Sequence, residues 1–590
     1  NNILDVSHRQ WYFCTGGTNR PPIKLDGGMC NMKKVRAIVS CCTIAALLAT
    51  TAAAATESIT RTLLYQDISI TVDGTEIIPT DVNGEVVEPF VMDGTTYLPL
   101  RAVSEALGYD VEWDAENNRV VISTESNSIR EVVQTDKGAI RGISETGTYG
   151  GVVHSYFGIP YAEAPVGDLR WRPAQEKTPW SGILDCREME ANSYQFGTNL
   201  ANFANLSPLS EDCLYLNVIT PAETTDEELP VMVWFHGGGL AMGTGNEATY
   251  NNTRLPEQGC VIVSVVMRLG AFGLLNNSML DAESETGTSG NYMLSDMIAA
   301  LEWVQNNIEA FGGDQNNVTI FGESGGGKKV LALVASPKAA GLFQNAIIQS
   351  GSLRETSSEI LKASGDKLFE TLGVTSLEEA RALPAEEIVA ACNEINVSYD
   401  YCVDGVYLEQ TLQEALASGE YNHVNLMIGG NKGEIQSNFI EGIVPSIVDA
   451  ANNVTAYGGN AYVYLFDQTP ANWVEMGGRA VHAQEMAYMW GDYDNVSRTF
   501  NGGPWELNCA TWFTDADVNS FVEPELDETD RALSEIMMDM WVQFARTGNP
   551  SIAGTLWEKW SPEKENYMVL SMMNSTTPHM EAGYSSLAVE

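Results

Sequence analysis

Residues 319–328 read TIFGESGGGK, with a second lysine, Lys329, directly after. Two chemistries compete for this stretch. From Gly322 to Lys328 it fits G-x-x-x-x-G-K, a loop that cradles phosphates; from Gly322 to Gly326 it fits G-x-S-x-G, a tight turn that exposes a serine. Both need a strand before and a helix after. The apolar run VTIF (318–321) and the segment SGGGKKVLALVAS supply them, so context does not separate the two. Residue chemistry does. A phosphate loop places Ser or Thr after its lysine to hold magnesium, and here that slot is Lys329, while Glu323 would face phosphate oxygens. The serine turn meets neither objection, because Gly322 and Gly326 relieve crowding on both sides of Ser324.

An exposed serine needs a base to take its proton and an acid to orient that base. On a sheet carrying this turn, the acid and then the histidine follow the serine along the chain. Six histidines are present. His8 lies near the start, and His154, His236 and His423 precede the expected acid, which leaves His482 and His579. His482, in GGRAVHAQEM, follows the strand-like AYVYLF, where a loop-borne base belongs; His579 sits in the polar STTPHMEAG. For the acid, NLMIGGNKGE places Glu434 just past an apolar run, with Asp404 and Asp467 as competitors. HGGG at 236–239 directly follows VMVWF. Its glycines let backbone N–H groups turn towards the serine, and the N–H of Gly325 adds another donor for a developing oxyanion.

The wider chain fits around these residues. From about residue 130, apolar β-rich runs (VMVWF, VIVSVV, VTIF, AIIQ, NLMIGG, AYVYLF) alternate with helical patterns such as MLSDMIAALEWVQNNIEAF and DRALSEIMMDMWVQFAR. That order predicts an α/β class with a doubly wound, mostly parallel sheet. Residues 64–124 read as a separate small α+β unit: hairpins around Asp73-Gly74 and Asp93-Gly94, a helix in LRAVSEALGY, and strands YDVEW and RVVIS. Residues 32–55, MKKVRAIVSCCTIAALLATTAAAA, have the basic, apolar and small-residue order of a secretory signal peptide, with cleavage near Ala54 or Ala55. Met32 is the expected start, and residues 1–31 are left out of fold reasoning. The apolar run is shorter than the ~20 residues of a membrane span, so no stable membrane insertion is expected.

Charge and cysteines narrow the function. With 78 acidic and 32 basic residues the net charge is −46, which repels phosphate backbones and argues against nucleic-acid binding. Six cysteines follow the leader, at 186, 213, 260, 392, 402 and 509; none form C-x-x-C, and Cys392 with Cys402 is the shortest candidate disulfide loop.

FGIPYAEAPVGDLRWRP, SEDCLYLNV, ALEWVQNNIEAFGGDQNNVTIFGES and FARTGNP resemble landmarks of the type-B carboxylesterase (cholinesterase-like) family, in the style of bacterial para-nitrobenzyl esterases, over roughly 130–585. The resemblance implies an α/β-hydrolase fold and a serine carboxylesterase acting on small-molecule esters without metal or cofactor, which the leader at 32–55 would make a secreted enzyme. Its residues would be Ser324 as nucleophile, Glu434 as acid, His482 as base, and Gly238, Gly239 and Gly325 as oxyanion donors. Ser350, in QSG, would hydrogen-bond the acid, and Glu323 would support the site beside the nucleophile. TYLPLRAVSEALGYDVEWD resembles the copper amine oxidase N-terminal-like module of exported proteins, although residues 64–124 contain no His or Cys, which favours a spacer or cell-surface role.

The chain also departs from the family. Leu240 and Met267 stand where aromatics are common, and Ser193 stands where a cysteine usually pairs with Cys213, leaving Cys213 expected to be unpaired. Only 47 residues separate Glu434 from His482, which predicts a reduced helical cap and a wider, more solvent-exposed site. The alternative from another class is a non-catalytic adhesion or binding protein on the same scaffold, since fold alone does not fix function.

Overall fold

The strand β4 (Leu229–Phe235) explains why the apolar runs of this chain are continuous rather than alternating. Val231, Val233 and Phe235 enter one core cluster, whereas Met232 and Trp234 enter a second on the opposite face. A strand covered on both sides has no polar face to show. The computed structural model describes residues 129–195, 208–437, 442–475, 477–492 and 525–588, with parts of 40–123 before them. Most of the expected leader, and Cys509, lie outside the described residues.

The chain divides into two units, Asn1–Asn127 and Ser128–Glu590. Among the described residues of the first, four antiparallel pairs (Ser40–Cys41 with Thr62–Leu63, Ile70–Val72 with Thr75–Ile77, Phe90–Met92 with Thr95–Tyr97, Asp110–Asp114 with Arg119–Ser123) accompany the helix Leu100–Ala106. Phe90 and Tyr97 stack across one pair with ring centroids 5.0 Å apart.

The second unit is built on an eleven-stranded sheet. In chain order its strands are β1 (Ile143–Thr146), β2 (Val152–Pro160), β3 (Tyr215–Thr220), β4, β5 (Val261–Val265), β6 (Gly313–Glu323), β7 (Asn345–Gln349), β8 (Asn425–Asn431), β9 (Ala461–Phe466), β10 (Tyr567–Leu570) and β11 (His579–Glu581). Their order across the sheet is β1-β2-β3-β5-β4-β6-β7-β8-β9-β10-β11. The six pairings from β5 to β10 are parallel, and antiparallel strands close both edges. Helices cover both faces, as in a doubly wound sheet. Residues of α1 (Tyr292–Asn307), α2 (Gly325–Ala335) and α4 (Ile443–Ala456) join the first cluster; α5 (Glu485–Met489) and α6 (Glu528–Thr547) join the second. Helix α6 starts on a capping box in which Asp527 accepts from the Thr529 and Asp530 N–H groups, and it ends at Gly548 in the left-handed region.

Two ion pairs tie the sequence landmarks together. Arg170 of RWRP forks onto Glu211 of SEDC, with Nε–Oε1 at 2.6 Å and Nη2–Oε2 at 2.5 Å. Arg268 of RLG forks onto the fully buried Asp296 of α1 at 2.9 and 2.5 Å. Between Glu434 and His482 the chain forms α4, β9 and the short helix Ala471–Glu475, and α4 packs on β8 and β9. Helices Ser358–Leu372, Leu377–Ala382 and Ala385–Ile395 instead follow β7 and share a third core cluster with Trp171 and Phe272.

Cysteines 186, 213, 260, 392 and 402 are buried free thiols. The Cys392–Cys402 loop is therefore not closed by a disulfide: Cys402 donates to the Ser289 carbonyl and Cys392 is engaged by Tyr399. Cys213 is met by the hydroxyl of Ser193, at the position where the family resemblance would put its partner cysteine.

Candidate active site

At the junction of β6 and α2, Ser324 has φ 57° and ψ −119°. A positive φ on a side chain with a Cβ is strained and must be held by its surroundings. Here the Ser324 N–H donates to the Gln349 carbonyl at 2.8 Å, fastening the turn to β7. The glycines beside it permit close backbone contact. A Cβ on Gly326 would stand 2.0 Å from the Phe235 carbonyl oxygen, so only glycine lets α2 begin this near β4. The turn therefore leaves Ser324 half-buried at the sheet's carboxyl edge. Neither lysine makes a phosphate cradle: Lys328 pairs with Asp400 at 2.6 Å, and Lys329 is buried.

Three expected side chains converge beside this turn. His482 is buried, and its Nδ1 is hydrogen-bonded to Glu434 Oε2. Glu434 opens α3 (Lys432–Ser437) at the end of β8, is fully buried, and uses its other oxygen to accept from Ser350 Oγ at 2.5 Å and the Asn431 N–H at 2.6 Å. Ser350 itself has φ 52°, held by its N–H to the Gly429 carbonyl at 2.8 Å. The other imidazole nitrogen, Nε2, lies 3.2 Å from Glu323 Oε1, so it faces the residue that precedes Ser324. Among the competing acids, Asp467 pairs with Lys432 and Asp404 accepts from the N–H groups of 406–408, so neither meets His482.

Electrostatics follow from burial. Desolvation disfavours the His482 imidazolium, but the Glu323 and Glu434 carboxylates outweigh it and raise its pKa to about 9. Burial pushes Glu323 well above the usual carboxylate range, against the pull of His482, so the pair titrates as a unit. His236 is fully enclosed and held well below the ordinary histidine range, first by burial and then by Lys329, so it is a neutral loop residue.

The HGGG loop lies against the turn. Gly238 and Gly239 have φ 84° and 62°, and a Cβ on Gly325 would stand only 1.8 Å from the Gly239 carbonyl oxygen.

Two neighbours escaped the sequence reading. Glu485 sits fully buried, accepting from Gln349 Nε2 at 3.1 Å and Asn431 Nδ2 at 2.5 Å, and burial raises it to about 7. Its signal was the HAQE spacing, which places it three residues after His482. The second is Lys329, which the sequence reading uses only as the residue that fills the Ser/Thr slot of a phosphate loop and so argues against one.

With this geometry in place, comparison with known proteins is decisive. A model of the carboxylesterase family matches residues 129–445 and 437–587. The chain belongs to the carboxylesterase family. It is a carboxylic ester hydrolase of the serine type. A copper amine oxidase N-terminal domain model matches residues 69–144 of this carboxylesterase. It is 28% identical to the para-nitrobenzyl esterase of Bacillus subtilis (strain 168) over 496 residues, covering 75% of the chain and 94% of the relative. Against the fumonisin B1 esterase of Sphingopyxis macrogoltabida, identity is 34% over 323 residues, covering 53% and 58%. A solved para-nitrobenzyl esterase structure superposes with a TM-score of 0.66 at 26% identity, covering 78% of this chain and 99% of that one. A Geobacillus stearothermophilus carboxylesterase gives 0.63 at 27%, covering 78% and 100%.

Proposed function

We propose that this carboxylesterase cleaves small-molecule carboxylic esters through an acyl-enzyme formed on Ser324. In this mechanism the Ser324 hydroxyl attacks the ester carbonyl while His482 Nε2 takes its proton. Glu434 holds the ring by Nδ1 and balances the imidazolium. The N–H groups of Gly238, Gly239 and Gly325 stabilise the oxyanion. The protonated His482 then releases the alcohol, and water, activated by the same imidazole, frees the acid. No metal or organic cofactor takes part.

The observation that carries this reading is the strained Ser324 turn beside a histidine whose Nδ1 is held by a buried, doubly hydrogen-bonded glutamate and whose Nε2 faces that turn. The test is hydrolysis of para-nitrophenyl esters from acetate to decanoate by residues 56–590 and by its Ser324→Ala variant. A loss of about 10⁴-fold or more is expected. A folded parent no faster than the variant on every ester would favour a binding protein on this scaffold.

We also propose export through residues 32–55, with residues 64–124 serving cell-surface association; the support is the basic, apolar and small-residue order of the leader. Sequencing the amino terminus of protein recovered outside the cell should find it near residue 55 or 56; an intact leader on soluble cytosolic protein would refute export.

A further inference from the structure

Five residues after the nucleophile turn, α2 carries Lys329 with no exposed surface. Its Nζ donates to the His236 carbonyl at 2.8 Å and approaches that of Gly239 at 3.5 Å. Among the described residues no carboxylate pairs with it, and burial alone brings its amine down to about 7. Packing does not explain it. Val330, Leu331, Ala332 and Leu333 fill the following positions, and an apolar side chain would be cheaper at a fully buried position with no counter-ion among the described residues.

What Lys329 touches does explain it. Four peptide planes run through HGGG and into Leu240. The amine holds the first, through His236 O, and the last, through Gly239 O. The two planes between carry the Gly238 and Gly239 N–H groups. Their own carbonyls are also engaged: Gly237 O is 2.9 Å from His236 Nδ1, and Gly238 O accepts the Met242 N–H at 3.2 Å. Every carbonyl of the loop thus has a partner within the protein. Gly239 O further occupies the space that a Cβ on Gly325 would need. The clamp and the bare Gly325 therefore act on one carbonyl, from residues four apart on one helix.

We propose that Lys329 is a positioning residue for ester hydrolysis: it anchors both ends of the HGGG loop so that the amides between them keep their aim at the oxyanion. This rests on the esterase reading above. A fixed donor array gains its value in the transition state rather than in substrate binding.

The test compares the parent, Ser324→Ala, Lys329→Met and Lys329→Gln on para-nitrophenyl acetate, and measures inhibition by an aryl trifluoromethyl ketone, which adds to the serine as a tetrahedral oxyanion. Lys329→Met should lose about 10–10²-fold in kcat, less than the 10²–10³-fold of losing an oxyanion donor itself, with KM within about threefold. Its affinity for the ketone should fall by the same factor as kcat/KM. Lys329→Gln keeps a shorter N–H donor and should lie between the two. A folded Lys329→Met with parental kcat, or with lowered kcat but unchanged ketone affinity, overturns the assignment while leaving the esterase reading intact. A parent no faster than Ser324→Ala overturns both.

Discussion

His482 stands between two carboxylates with different duties. Glu434 is hydrogen-bonded through both oxygens and so orients the ring, whereas Glu323 faces the nitrogen that must accept the serine proton. A carboxylate there favours the imidazolium, which cannot act as a base, so kcat/KM should climb with pH to an unusually alkaline plateau. Glu323→Gln removes that charge. The acidic limb of the kcat/KM profile should then move roughly one unit or more towards lower pH; an unmoved limb would mean that Glu323 is already protonated in the parent. Ser350→Ala tests the other carboxylate. Losing one hydrogen bond to a buried charge costs about 1.5–3 kcal/mol, so kcat should drop about 10–10²-fold while KM holds. Serine, histidine and acid could be read from the sequence because order along the chain and a short supply of histidines leave few choices. Glu485 left only the HAQE spacing as a hint, because its partners Gln349 and Asn431 come from β7 and β8 and meet it only in the folded sheet.

Strands are legible for a different reason. Alternate residues of β9 serve opposite clusters, Ala461, Val463 and Leu465 on one face and Tyr462, Tyr464 and Phe466 on the other, so the run is apolar throughout and stands out. Helix α2 was legible as a helix, but the purpose of its lysine was not, since the acceptors of Lys329 lie 90 and 93 residues away. That lysine has a thermodynamic signature. Its folded pKa, about 7, is depressed below the ~10.4 of an unfolded lysine. Below about pH 7 both states hold the proton and the full cost of burying it is present. Between about 7 and 10.4 the unfolded chain holds a proton that the native state has shed, so stability from this group rises with pH. Lys329→Met should abolish that rise and stabilise the fold at neutral pH by a few kcal/mol, less the ~1 kcal/mol of the hydrogen bond it gives up. Urea denaturation at pH 7, 8 and 9 measures both effects. A variant that is more stable yet slower would fit a site that keeps strain for function.

At the scale of the whole molecule, charge is the property that composition reports and fold does not. Residues 1–127 hold 16 acidic and nine basic side chains, so most of the −46 belongs to Ser128–Glu590, the unit that also carries every candidate site residue. An acidic surface concentrates cations and repels anions near its clefts, and salt erases the effect once the Debye length, about 10 Å at 0.1 M, falls below the distances involved. Three esters separate this field from local chemistry. As NaCl rises from 10 to 500 mM, kcat/KM should fall several-fold for acetylthiocholine, rise for a para-nitrophenyl hemisuccinate, and stay level for neutral para-nitrophenyl acetate. Removing residues 1–127 should leave all three slopes nearly unchanged, because that segment supplies little of the excess acid. Equal salt dependence for the three esters would place the acidic residues too far from the substrate path to act on it. The charge would then bear on solubility alone.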